Sequence, residues 1–232
     1  ALPLFILAGG LISESGISRR LLNFTMSIVG RTKGGLGVVC VVTCTIFGAI
    51  SGSASGAIAA IGSIMIPEMT KQGYPRGYAT GLVATSSMLA LLIPPSIPMI
   101  AFAMTAQISI LSAFLSTLIP GLLMMTSYSL INIFLSRRME NLTVAPKQLS
   151  REKVREIGRT TKQATFALLM PVLILGGIYG GIFTPTEAGA IAVLFCTVVG
   201  VFFYKKLKLK HFPIILKNTV YSTSSVILII VA

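Results

Sequence analysis

Charge is what this sequence has least of. Charged residues make up 11% of its 232 positions, and only six are acidic. The acids are Glu14, Glu68, Glu140, Glu152, Glu156 and Glu187; there is no aspartate, and His211 is the single histidine. A soluble domain of this length needs far more polar surface. All six acids fall in loops or at the ends of apolar runs, so no ionisable group is placed at membrane depth for a proton relay. The three cysteines, Cys40, Cys44 and Cys196, lie within apolar runs, and no further Cys or His completes a metal set. No G-x-x-x-x-G-K-[ST] string is present, which excludes an ATPase within these residues. The chain also opens without Met or a signal-peptide layout, and it reads as an internal piece of a longer protein.

What is present is apolar length. The hydrophobic fraction is 54% and the mean hydropathy +0.88. A helix needs about 20 apolar residues to cross a bilayer, and several runs provide them. The sequence predicts a polytopic, all-α membrane protein with roughly five crossings. These fall at 36–67, 78–105 and 110–135, with two more inside 164–204. The pieces 1–12 and 221–232 read as cut elements. Residues 13–35 alternate Arg19, Arg20, Arg31 and Lys33 with Leu21, Leu22, Phe24, Met26 and Ile28, the pattern of an amphipathic interfacial helix. Residues 136–163 read as a polar surface helix. Thr184-Pro185-Thr186-Glu187 reads as a tight turn with an N-cap.

The formal charge of +13 comes from Lys and Arg gathered between the apolar runs, where they match anionic lipid headgroups. Nucleic acid is not implied, because the basic segments offer no binding fold and few aromatics. If each long run crosses once, the loops at 71–76, 137–162 and 205–217 share one side and 19–34 lies opposite. The positive-inside rule then makes the first side cytoplasmic.

Two interruptions carry the chemistry. Ser51-Gly52-Ser53-Ala54-Ser55-Gly56 has little helix preference in the middle of its run. Unwinding there frees carbonyls which, with Ser hydroxyls, are hard oxygen ligands for a cation such as Na⁺; freed N–H groups would meet a substrate carboxylate. Gly48, Gly52 and Gly56, spaced four apart, equally suit a close helix contact face, and both readings stand. The second interruption is Pro94-Pro95-Ser96-Ile97-Pro98, where three prolines in five residues break the helix. Paired breaks at this depth point to a secondary transporter. Ser51, Gly52, Ser53 and Ser55 are the candidate cation or substrate contacts, with Ser51, Gly52 and Ser53 as sodium ligands. Pro94, Pro95 and Ser96 would shape the facing wall. A channel would show a filter sequence or a charged ring, and an enzyme a catalytic constellation within the spans; neither is visible. The permease subunit of an ATP-driven importer is the remaining alternative.

Six strings bear a family resemblance: Pro3-Leu-Phe-Ile-Leu-Ala-Gly9, Phe47-Gly-Ala-Ile-Ser-Gly-Ser53, Ala60-Ile-Gly-Ser-Ile-Met-Ile-Pro-Glu-Met69, Leu92-Ile-Pro-Pro-Ser-Ile-Pro98, Ile119-Pro-Gly-Leu-Leu123 and Leu175-Gly-Gly-Ile-Tyr-Gly-Gly-Ile-Phe-Thr-Pro-Thr-Glu-Ala188. In order and over nearly the whole chain, they resemble the large membrane subunit of tripartite ATP-independent periplasmic (TRAP) transporters. The resemblance implies a multi-pass carrier of the bacterial inner membrane, without cofactor, coupled to Na⁺. Its implied partners are a small membrane subunit, a periplasmic binding protein, membrane lipid and a small carboxylate substrate such as a C4-dicarboxylate or sialic acid. The implied fold is an elevator of inverted repeats with re-entrant hairpins and discontinuous helices. On that plan residues 1–105 are the first-repeat transport half, 106–217 the second-repeat scaffold helices with basic interfacial segments, and 218–232 the start of a second hairpin. Residues 1–11 would end the first hairpin and 36–67 would be its broken helix. The first hairpin would open to the cytoplasm, against the charge count.

Overall fold

The fold is taken from a computed structural model describing residues 1–30, 32–139, 142–143 and 150–231, with the backbone alone at 150, 151, 209 and 229–231. Arg31, Glu140, Lys147 and Ala232, used in the charge and boundary readings above, lie outside the described residues. Among those described, every regular element is helical. Three helices are long and apolar enough to cross a membrane: α9 (Ile110–Arg137), α10 (Ser150–Tyr179, apolar from its middle onward) and α11 (Pro185–Val198, extended by a π-turn to Phe203). A fourth span is the bent succession α6 (Arg76–Ser87), α7 (Leu89–Leu92) and α8 (Ile97–Thr105), which turns by 42° at its break. Of the expected surface helix at 136–163, residues 136 and 137 end α9, and 150–163 are the polar first half of α10, continuous with its apolar half.

The fifth expected crossing is not one. α3 (Gly35–Ser51) runs inward and stops; α4 (Ala54–Ala57), a π-turn at Ile58–Gly62 and α5 (Ser63–Lys71) run back out. The return is fixed at the outer end. The Asn132 amide donates to the Gly34 carbonyl at the start of α3 (2.8 Å) and accepts from the Tyr78 hydroxyl at the start of α6 (3.0 Å). Tyr74, three residues beyond α5, lies 3.5 Å from the Ser136 hydroxyl. Both ends of 35–71 therefore meet the same end of α9. The segment is a helical hairpin whose tip is the Gly/Ser string, not a single broken crossing, and residues 1–11 do not supply its arm.

Those first residues form α1 (Leu2–Ser15), a short buried helix that packs against α11 and α3. Gly16 turns the chain into α2 (Ile17–Val29). α2 is amphipathic as expected, but its apolar face, with Ile17, Leu21 and Leu22, is buried against α3 and α10 rather than lipid. Ser27 and Thr160 hydroxyls pair across α2 and α10 at 2.9 Å, and the Arg20 guanidinium lies 3.6 Å from the centre of the Tyr204 ring. At the far end of α11, Thr184 and Glu187 form a reciprocal capping box: the Thr184 N–H donates to the Glu187 carboxylate (2.8 Å) and the Glu187 N–H to the Thr184 hydroxyl (3.3 Å). The chain closes with α12 (Phe212–Val231), antiparallel to α1.

Turning 36–67 back on itself changes the side count. Lys33 reaches the Arg137 carbonyl (3.4 Å), and the Thr143 N–H reaches the Gln72 carbonyl (3.0 Å). The described residues of the loops around 19–34, 71–76, 137–162 and 205–210 thus share one end of the molecule. The opposite connections, 106–109 and 180–184, hold no Lys or Arg. The positive-inside rule places the shared end in the cytoplasm, and the conflict between charge count and hairpin orientation disappears. With Cys40, Cys44 and Cys196 buried, single cysteines at Asn23, Gln72 and Gln107 report this directly in the full transporter. A membrane-impermeant maleimide will label N23C and Q72C from one face and Q107C from the other. Labelling of N23C and Q72C from opposite faces would remove the hairpin.

Candidate functional site

The hairpin tip is built by Gly52. The Gly52 N–H closes α3 on the Gly48 carbonyl (2.8 Å), and the residue then takes φ 61°, a left-handed backbone that Gly adopts without strain. Ser53 follows in extended conformation and caps α4: its hydroxyl accepts the Gly56 N–H at 3.2 Å and lies 3.1 Å from the Ser55 hydroxyl. Ser51, buried at the end of α3, accepts the Ser53 N–H on its own hydroxyl (3.4 Å).

The proline break is built in the same way. Ile93 leaves α7 in extended conformation, the chain bends through Pro94 and Pro95, and buried Ser96, itself extended, caps α8. The Ser96 hydroxyl donates to the Leu91 carbonyl (2.6 Å) and accepts the Met99 N–H (3.4 Å), which occupies both faces of the group.

The two breaks, more than 40 residues apart in sequence, meet. The Ile97 N–H donates to the Gly52 carbonyl (3.4 Å), and a Cβ on Gly52 would sit 2.7 Å from the Pro95 carbonyl oxygen. α1 closes the third side, where a Cβ on Gly9 would sit 3.0 Å from the Ser51 carbonyl oxygen. Two helix C-terminal ends, of α3 and α7, and two N-terminal ends, of α4 and α8, thus converge on one junction. C-terminal ends favour a cation and N-terminal ends an anion, each by about 0.3–1 kcal/mol at exposed positions and more when buried.

A cavity of about 640 Å³ opens on this junction. Gly52, Ser53 and Ser55 line it, together with Ile97 and Pro98 from the start of α8. Ser51, Pro94, Pro95 and Ser96 stand behind the lining: they shape the junction without facing the cavity. The opposite walls come from α1, α12 and the turn that leads into α12, with Glu14, His211, Asn218 and Ser222 among their lining residues. None of these four is a candidate in the sequence reading, which places Glu14 outside membrane depth and takes 218–232 as the start of a second hairpin. A signal was present: 211, 218 and 222 recur at the spacing of one helix face.

Over residues 1–232 the chain matches the family described as "Tripartite ATP-independent periplasmic transporter, DctM component". This chain belongs to that family. It is 38% identical to a C4-dicarboxylate TRAP transporter large permease protein of Pseudomonas aeruginosa, over 93% of this chain and 49% of the relative. It is 36% identical to a sialic acid large permease of Vibrio cholerae, and 35% identical to an ectoine large permease of Halomonas elongata. Each of these alignments covers 99% of this chain and 53% of the relative. The chain thus spans about half the length of the curated relatives it matches. The TRAP match makes it a multi-pass inner-membrane protein, in line with its apolar spans, and gives no support to an ATP-driven importer.

Gly52 is the residue on which the junction turns. Gly52→Ala brings a left-handed alanine, worth roughly 1–2 kcal/mol, and a Cβ against the Pro95 carbonyl. The expected result is a lowered melting temperature of the purified transporter together with loss of uptake. A variant with wild-type melting and wild-type uptake would show that the tip does not need this backbone.

Proposed function

We propose that this chain supplies the first-repeat half of the translocation site in a sodium-coupled TRAP transporter, an elevator that imports small carboxylate-bearing solutes. One observation supports this reading best: the hairpin tip and the broken span join at Gly52 and Pro95, and the joint faces an open cavity. A polar junction at membrane depth, made of helix ends rather than charged side chains, suits a monovalent cation and a carboxylate bound side by side. The hydroxyls of Ser51, Ser53 and Ser55 and the carbonyls of Ser51 and Pro95 are the oxygens available to Na⁺ as the transported ion. The N-terminal ends of α4 and α8 would receive the carboxylate.

Three of the relatives are named for C4-dicarboxylate, sialic acid and ectoine, and a further one for isethionate, whose sulfonate stands where the others carry a carboxylate. The first three solutes differ in size and net charge but share a carboxylate, which is the group the two helix ends would read. The partners are a small membrane subunit and a periplasmic binding protein that delivers the substrate; the membrane lipid is the solvent.

The test is uptake by the full transporter in proteoliposomes under a sodium gradient, without ATP, with and without the binding protein. Uptake that required ATP, or that persisted with the sodium gradient collapsed, would overturn the reading. Ser51→Ala removes a buried oxygen at the junction and is expected to weaken sodium activation about tenfold, the scale of one lost hydrogen bond to a charged group, with membrane insertion unchanged. Wild-type sodium affinity in that variant would strike Ser51 from the ligand set.

A further inference from the structure

The cavity is longer than a site at the tip requires. From Gly52 and Ser53 it continues between α1 and α12 to Ser13, Glu14 and His211. Along α1 it runs from Gly9, which packs beside Ser51 at the junction and next to Gly10 and Ile215, to Glu14; five helical residues span about 7.5 Å, so its far end lies between one and two turns from the junction. That end belongs to the basic side of the molecule. Beside it, a Cβ on Gly16 would lie 3.3 Å from Lys206, and a Cβ on Gly200 would lie 3.2 Å from the Ser15 side chain.

Of the described residues lining the cavity, only Glu14 and His211 carry ionisable side chains. The structure orients the imidazole. Its Nδ1 accepts the Lys208 backbone N–H at 3.3 Å, so the ring proton sits on Nε2, the nitrogen left to meet a ligand. Glu14 stands on the opposing wall. No ion pair joins the two among the described residues, so each acts separately on what passes between them.

We propose that this end of the cavity is a second, weaker station for the transported carboxylate on its way to the cytoplasm. His211 Nε2–H donates to the carboxylate there, and the Glu14 carboxylate repels it and speeds its departure. Asn218, one turn from Ile215 on the same wall, stands at the junction end of this path. The inference rests on the proposed transport function and adds to it two residues with opposite effects on one side of the membrane only.

The experiment is substrate exchange by the full transporter in proteoliposomes, with half-saturation measured separately from the cytoplasmic and periplasmic faces. The probe is whichever of labelled succinate, sialic acid or ectoine the wild type takes up. His211→Leu is expected to raise cytoplasmic half-saturation about tenfold, the scale of a lost hydrogen bond to a charged group, and to leave the periplasmic value in place. His211→Gln keeps an N–H donor and stays close to wild type. Glu14→Gln lowers cytoplasmic half-saturation about threefold, the scale of one exposed charge interaction. Equal shifts on both faces, shifts of the same sign in H211L and E14Q, or no shift in either variant would each overturn the station. A wild type that takes up none of the three probes would overturn the transport reading itself, and this inference with it.

Discussion

Backbone polar groups at membrane depth have no water to turn to, and a freed N–H or C=O there costs several kcal/mol unless protein or a cavity meets it. This chain breaks its helices twice at that depth, and the structure depends on how the breaks answer each other. The Ile97 N–H, released by the proline break, finds the Gly52 carbonyl released by the hairpin tip. Ser53 and Ser96 each cap the helix that restarts after them. Neither break is self-sufficient: the hairpin holds the bent span and the bent span holds the hairpin.

The close approach that this demands is carried by absent side chains. Gly48 lies against the Ala90 backbone, Gly37 against the Asn132 amide, and Gly52 against the Pro95 carbonyl. These contacts run along α3 from its outer end to the tip and seat the hairpin on α9, on α7 and on the proline break in turn. The small residues at 48, 52 and 56, which fit either a packing face or an unwound site, thus divide between the two roles. Gly48 packs, Gly52 both packs and turns the chain, and Gly56 lines the cavity.

At the outer end the constraint is met by polar side chains instead. Asn132 is buried within a long apolar helix, and its amide joins the start of α3 to the start of α6. Removing such a group would leave its partners unsatisfied, at about 1–3 kcal/mol each. The hairpin is therefore pinned at both tip and base. The wall formed by α1 and α12 meets it across the cavity, with direct contact near Gly9.

The sequence alone determined the solvent, the helical class and the two interruptions, because these follow from composition and local backbone chemistry. A run of apolar residues partitions into lipid wherever it is found, and three prolines in five residues break any helix. It also carried the family, since strings such as the Leu92–Pro98 motif are local. It could not determine whether 36–67 crosses or turns back, because both paths bury the same apolar residues and use the same flexible Gly/Ser string. That choice is made by distant contacts: Asn132 with Gly34 and Tyr78, and Gly52 with Pro95 and Ile97. With it come the number of crossings, the gathering of the basic loops on one side, and the cavity that brings Glu14 and His211 into line with the tip. Tertiary structure decided these because a side count is a property of paths through the bilayer, and only contacts between segments fix a path.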